Sequence, residues 1–344
     1  MPSIDEIKDK WLFVVPIYNL ELDKEIESEL TIDRVTFISS KKFKLVRKRF
    51  GVLTVLSAMK VPQKDFFDKY KTFALIRISG KIEDIELKSL KLIEKELHIL
   101  LSTFVGYSRR SYKNKIGIAG GSGYAIKEYV YISTTHTSRA KHNSAASNYR
   151  PVILNKGWKK YHKDFFFFKF LAMIKNKRSI QKGYKKELCR AVELMGKSFN
   201  SNDIVDAFLW NMIAIELLIS KQGDSYRESL VKRLSAMFAW MDKWEHENYE
   251  EKIDAVYKKR SAYVHDGNID AIEVKDLLFT DEILLNIIIN IVKHPKVFTS
   301  KDSLIEFTKK VEAEHLLNLT SKVHPKSFCY VARRYTENDL NMLQ

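Results

Sequence analysis

DAVYKKRSAYVHDGN, residues 254–268, decides how the second half of this 344-residue chain folds. Tyr257, Arg260 and Val264 recur at i, i+3 and i+7, which places them on one face of a helix. The pattern predicts a helix over 249–264 that stops at Asp266-Gly267, because glycine enters the left-handed conformation that closes helices at little cost. Arg260 and His265 are five positions apart, roughly 140° around an ideal helix, so they share no face mid-helix. The expectation is that unwinding in the last turn swings His265 toward Arg260.

Helical patterns continue on both sides of this stretch. Residues 185–196, 203–221, 224–243 and 281–294 read as further helices, with Asn202 as the expected cap of the second and Pro295 closing the last. Gly223 falls where a helix should end. Within WNMIAIELLI, residues 210–219, Glu216 is set among Ile213, Ile215, Leu217, Leu218 and Ile219. A carboxylate in such a surface needs a partner, because burying it alone is costly. Arg260 is the expected partner, meeting it through two parallel hydrogen bonds.

Upstream the texture differs. Residues 11–22, 31–39, 51–57 and 72–78 carry β-branched and aromatic residues and read as strands. Residues 88–104 read as a helix through Leu90, Ile93, Leu97, Leu100 and Leu101. GIAGGSG (117–123) is a flexible turn, followed by a strand over 127–133. The fold class is therefore α+β: a mixed, strand-rich part over 1–180 and a helical bundle over 181–344. The boundary falls inside the basic stretch KNKRSIQKGYKK, residues 175–186.

Hydrophobic residues make up 45% and charged residues 30%, which excludes a disordered chain. The 59 Lys+Arg against 43 Asp+Glu give a net charge of +16. Such a surface attracts polyanions, nucleic acid or an anionic membrane alike. Cys189 and Cys329 are the only cysteines, which excludes a disulfide framework and a cysteine-built zinc site and fits a reducing compartment. The opening residues are charged before they become apolar and lead to no small-residue cleavage site, so no signal peptide is expected. The apolar run 204–219 is interrupted by Asp206, Asn211 and Glu216, and 283–292 is too short to span a bilayer. A soluble, cytoplasmic protein with no membrane partner is expected.

An Arg followed by a His at a helix end that runs into a Gly turn resembles the R-x4-6-H motif of HEPN domains. Tyr257 before the Arg, Ser261 after it and the Val-His-x-Gly ending are similar to the ApeA-like HEPN group. The Glu216 helix and KRLSAMF (232–238) resemble that group's preceding helices. The resemblance covers about residues 185–295. It departs at Ser261, where HEPN motifs most often carry Asn, Asp or His.

The resemblance implies a metal-independent endoribonuclease with no cofactor and no metal, with Arg260 and His265 catalytic and Glu216, Tyr257 and Ser261 supporting. RNA cleavage of this kind needs the 2′-OH to lose a proton, the 5′-oxygen to gain one, and the phosphorane charge to be stabilised. An imidazole serves as base or acid near neutrality, and a guanidinium stabilises phosphate charge. HEPN domains dimerise so that two motifs face one composite site, so a homodimer through the helical part is implied. The products would be a 2′,3′-cyclic phosphate and a 5′-hydroxyl. The group further resembles toxins of abortive-infection, anti-phage systems that cut host RNA, often tRNA. On that analogy the strand-rich part senses an infection signal or holds the nuclease off, with a phage-derived trigger or a regulatory partner as the implied effector. The alternatives are a non-catalytic RNA-binding or nucleotide-sensing module of the same fold, and an adaptor that only dimerises partners.

Other stretches offer phosphate contacts. KKFKLVRKRF (41–50) holds Lys41, Lys42, Lys44, Arg47, Lys48 and Arg49 with two interleaved Phe, a mix suited to phosphate contact plus base stacking, or to a lysine-protected strand edge. Arg139 and Lys141 lie in a polar loop, 135–143, where His136 and His142 lack a third metal ligand. FFFFKF (165–170) reads as core or interdomain contact, or as an aromatic binding surface.

Overall fold

The computed structural model describes residues 10–23, 29–46, 70–111, 115–118, 129–133, 138–141, 151–176, 180–238, 248–267, 271–319, 328–333, 335–341 and 343. The strands are β1 (Lys10–Tyr18), β2 (Leu20–Leu22), β3 (Glu29–Ile32), β4 (Val35–Ser39), β5 (Thr72–Ser79), β6 (Gly117–Ile118), β7 (Tyr129–Ser133), β8 (Ser138–Lys141) and β9 (Val152–Leu154). The helices are α1 (Ser40–Val46), α2 (Ile82–Tyr107), α3 (Lys156–Asp164), α4 (Phe167–Lys175), α5 (Lys182–Phe199), α6 (Ile204–Ile219), α7 (Tyr226–Phe238), α8 (Tyr249–Asp266), α9 (Val274–Lys293), α10 (Lys301–Leu316) and α11 (Glu337–Asn341). The architecture is α+β; among the described residues the strands lie in the first half and helices dominate the rest. The chain forms two compact units, Met1–Leu100 with Lys113–Tyr161, and Leu101–Tyr112 with His162–Gln344. The second unit thus begins ahead of the basic stretch where the composition changes.

In the first unit, Trp11, Leu12, Phe13, Val14, Val15 and Ile17 of β1 are all buried. Apolar residues at successive positions mark a strand covered on both faces, and β1 lies inside the sheet, whose order is β3-β4-β5-β1-β7-β8. All of its described ladders are antiparallel. Pro16 cannot donate to a ladder. On that flank β7 pairs with Trp11–Val14 and β6 with Ile17–Tyr18, so Pro16 falls between the two. The run expected as one strand over 31–39 is a hairpin instead. Asp33 adopts φ +39° and Ile32 pairs with Val35 across a two-residue turn. Buried Glu96 of α2 accepts from the backbone N–H of Arg34 (3.1 Å) and of Val35 (2.9 Å).

The second unit packs α5 on α6, α6 on α9, and α7 on both α8 and α10. Asp203, not Asn202, caps α6, its carboxylate accepting from Asp206 N–H at 3.0 Å. An N-cap side chain must reach the backbone two or three residues on, and only Asp203 stands at that distance from the first turn. α9 starts at Val274 rather than 281, because Glu273 and Asp276 form a reciprocal capping box. Asp281 is therefore mid-helix and buried. Arg110 meets its two oxygens at 3.0 and 2.6 Å and also reaches Ser198. Phe166, Phe167 and Phe170 of the FFFFKF run are fully buried and belong to the core, while Phe165 and Phe168 are half-buried. Among the described residues, no helix is long and apolar enough to cross a membrane.

Candidate functional site

Two helices bring the singled-out residues together. α6 carries Glu216 and α8 carries Tyr257, Arg260, Ser261 and His265. Arg260 Nη2 donates to Glu216 Oε2 at 3.2 Å. The expected pair exists, but as one contact instead of two parallel bonds. Glu216 Oε1 is buried with no hydrogen-bond partner. Burial pushes the Glu216 carboxyl above its ordinary value, and the Arg260 guanidinium pulls it partly back.

α8 stays helical through Asp266, and Gly267 then takes φ +67° with its N–H donating to Tyr263 O at 3.0 Å. The expected unwinding before Asp266 does not occur, since the left-handed glycine closes the helix only after His265 has completed its turn. His265 therefore remains roughly 140° around the axis and about 7.5 Å along it from Arg260. One chain points the guanidinium at α6 and leaves the imidazole exposed to solvent.

Tyr257, Arg260 and Ser261 are half-buried, and the neighbouring lysines are engaged: Lys258 pairs with Asp254 and Lys259 with Asp276, each at 2.7 Å. Ile213, one turn before Glu216, is 42% exposed, and Val264, one turn after Arg260, is 52% exposed. The ion pair thus has an uncovered apolar residue on each helix beside it. Among the described residues no three His, Cys, Asp or Glu side chains stand close enough to hold a metal ion.

The other basic candidates lie in the first unit. Lys41, Lys42 and Lys44 sit on helix α1, not on a strand edge, and Lys42 pairs with Glu29 at 2.7 Å. Phe43 between them is fully buried against Phe73, ring centroids 5.3 Å apart, so it offers no face for base stacking. Arg47, Lys48 and Arg49 lie outside the described residues, as do the strand expected over 51–57, His136 and His142. Arg139 and Lys141 lie on β8, a strand rather than a loop, with Tyr131 and Tyr129 as their partners in register.

A polar row on α9 was not anticipated. Glu282, Asn286 and Asn290 follow one another at i, i+4 and i+8 within DEILLNIIINIVK, and all three are buried. Three hydrogen-bonding side chains one turn apart, with only Ile and Leu between them, were the signal, since buried polar groups call for partners.

No protein-family model, no curated protein and no solved structure matches this chain.

Proposed function

We propose that the chain is a metal-independent endoribonuclease, a toxin of an abortive-infection system that cleaves host RNA, tRNA included, to 2′,3′-cyclic phosphate and 5′-hydroxyl ends. The observation that carries this reading is the pairing of Arg260 with Glu216 on the helix that ends in exposed His265. A guanidinium anchored by a carboxylate is pre-oriented, and orientation is most of what such a site needs to stabilise phosphorane charge.

The two side chains of one motif face different directions, so a single chain offers half a site. In the proposed homodimer, Ile213 and Val264 supply apolar surface for the partner to cover, and the two motifs meet over one phosphodiester. The imidazole of one motif takes the 2′-OH proton, the 2′-oxygen attacks phosphorus, and the 5′-oxygen leaves with a proton given by the imidazolium of the other motif. Bond made and bond broken are both P–O, so no oxidant or co-reactant enters. The cytoplasm is the compartment where such a toxin meets its substrate.

A non-catalytic RNA-binding module is favoured over this only by the geometry within one chain, where Arg260 is already engaged and far from His265. His265→Ala separates the two. Under the nuclease reading it abolishes cleavage of purified RNA while leaving RNA binding intact; equal RNA integrity with wild-type and variant protein, in every condition tried, discards it.

A further inference from the structure

The buried polar row of α9 faces an extended segment, Phe328–Arg333. Asn290 donates to Cys329 O (2.9 Å) and accepts from Cys329 N–H (3.2 Å). Asn286 does the same to Val331, donating to its O at 3.2 Å and accepting from its N–H at 2.7 Å. Glu282 accepts from Arg333 N–H at 2.8 Å. Each carboxamide thus serves one backbone residue as a neighbouring strand would, because it presents an N–H and a C=O together as a peptide group does.

The register follows from two rises. Four helical residues advance about 6.0 Å, and two extended residues advance about 6.6 Å. Side chains at i, i+4 and i+8 of a helix therefore match alternate residues of a strand lying beside it. The contacts go to main chain, so they read conformation and not sequence.

Sequence is read by the residues between. Phe328 packs against His294, Phe298 and Phe307, with ring centroids 4.6, 5.7 and 5.5 Å away. Tyr330 packs between Phe238, the last residue of α7, and Tyr249, the first of α8, at 5.4 and 5.5 Å. Its hydroxyl donates to Glu282 Oε1 at 2.5 Å, and the Tyr249 hydroxyl donates to the same oxygen at 2.8 Å.

We propose that the α9 face built from Glu282, Asn286 and Asn290 is a groove for an extended peptide with aromatic side chains two residues apart, and that Phe328–Arg333 fills it as an exchangeable internal ligand. Backbone pairing for affinity with pockets for alternate side chains is how sheet edges capture peptides; here a helix supplies the edge. A peptide of this chemistry from another protein would displace the internal one and take over its contact to Tyr249, the first residue of the helix that carries Arg260 and His265. The groove does not depend on the nuclease reading.

The test inserts a protease site within residues 320–327 of the full chain, cleaves the folded protein, and adds a fluorescent peptide of sequence KSFCYVARRYT, residues 326–336. The peptide should exchange into the nicked protein. Replacing both Phe328 and Tyr330 by Ala, or N-methylating the Val331 position, should each weaken binding by about tenfold or more. Failure to exchange, or equal binding of all three peptides, overturns the proposal. Native-state hydrogen exchange on the unaltered chain gives a second reading should the insertion prevent folding. The amides of Cys329, Val331 and Arg333 should open together while α9 stays protected, and exchange of those amides only along with α9 overturns it.

Discussion

Glu216 reaches Arg260 through one 3.2 Å contact and keeps its second carboxylate oxygen buried and unbonded. The side chains retain only 16% and 25% of their surface, so the arrangement holds a guanidinium in place at the expense of a poorly solvated carboxylate. Such a pair serves orientation better than stability.

Removing the cation should therefore cost stability in a pH-dependent way. Arg260→Ala leaves Glu216 without its counter-charge, and the penalty near pH 7 should be about 1–3 kcal/mol, reduced from a fully buried pair by residual exposure. The Glu216 carboxyl is raised in the folded state, so its stabilisation is complete below its ordinary value of 4.5 and is lost as pH rises through the folded value. Without Arg260 that value rises further. Urea unfolding at pH 4 and pH 7 should show a small penalty at the first and a larger one at the second; equal penalties contradict this.

Glu96 should impose the same sign of dependence on the first unit. Burial pushes its carboxyl from 4.5 to about 7, despite the two backbone N–H groups it accepts from. Stability from this group is present below pH 4.5 and falls as pH rises through 7, by up to about 3 kcal/mol. Glu96→Gln should flatten that slope when unfolding is followed across pH 4–8.

Asp281→Ala should be among the most damaging substitutions in the helical unit. It strands the buried Arg110 guanidinium, which Asp281 holds by two bonds, and it removes a partner of Asn211 at 2.8 Å. Loss of one member of a buried pair costs about 3–5 kcal/mol. Denaturant midpoints measured with Asp281→Asn alongside should show the isosteric change to be milder.

Gly267→Ala tests the end of α8. With φ +67° and no atom within 4 Å of an added Cβ, the substitution meets backbone strain and no clash, worth about 1 kcal/mol. Thermal unfolding reads the strain. Under the nuclease reading, RNA cleavage should fall by more than the stability loss explains, because His265 lies two residues before the glycine.

Much of the fold was legible because its signals are local. The unbroken apolar run of β1, the spacing in α2 and α8, and Gly267 as a stop each follow from a few neighbouring residues. The hairpin at Asp33 and the early start of α9 were less so. A turn of two ordinary residues breaks no hydrophobic pattern, and the Glu273–Asp276 capping box lacks the usual Ser or Thr. The Glu216–Arg260 pair was legible from chemistry, since a carboxylate among Ile and Leu demands a cation. The partnership of Glu282, Asn286 and Asn290 with Phe328–Arg333 was not, because a helix pairing with a strand leaves its two halves far apart in the chain.

The measurement that tests the nuclease reading most directly is incubation of purified protein with total RNA in EDTA, followed by chemical mapping of the new ends. The reading predicts discrete fragments bearing 2′,3′-cyclic phosphate and 5′-hydroxyl ends, absent with Arg260→Ala and with His265→Ala. Cleavage that needs a divalent ion, fragments with 3′-hydroxyl ends, or unchanged cutting by either variant would contradict it.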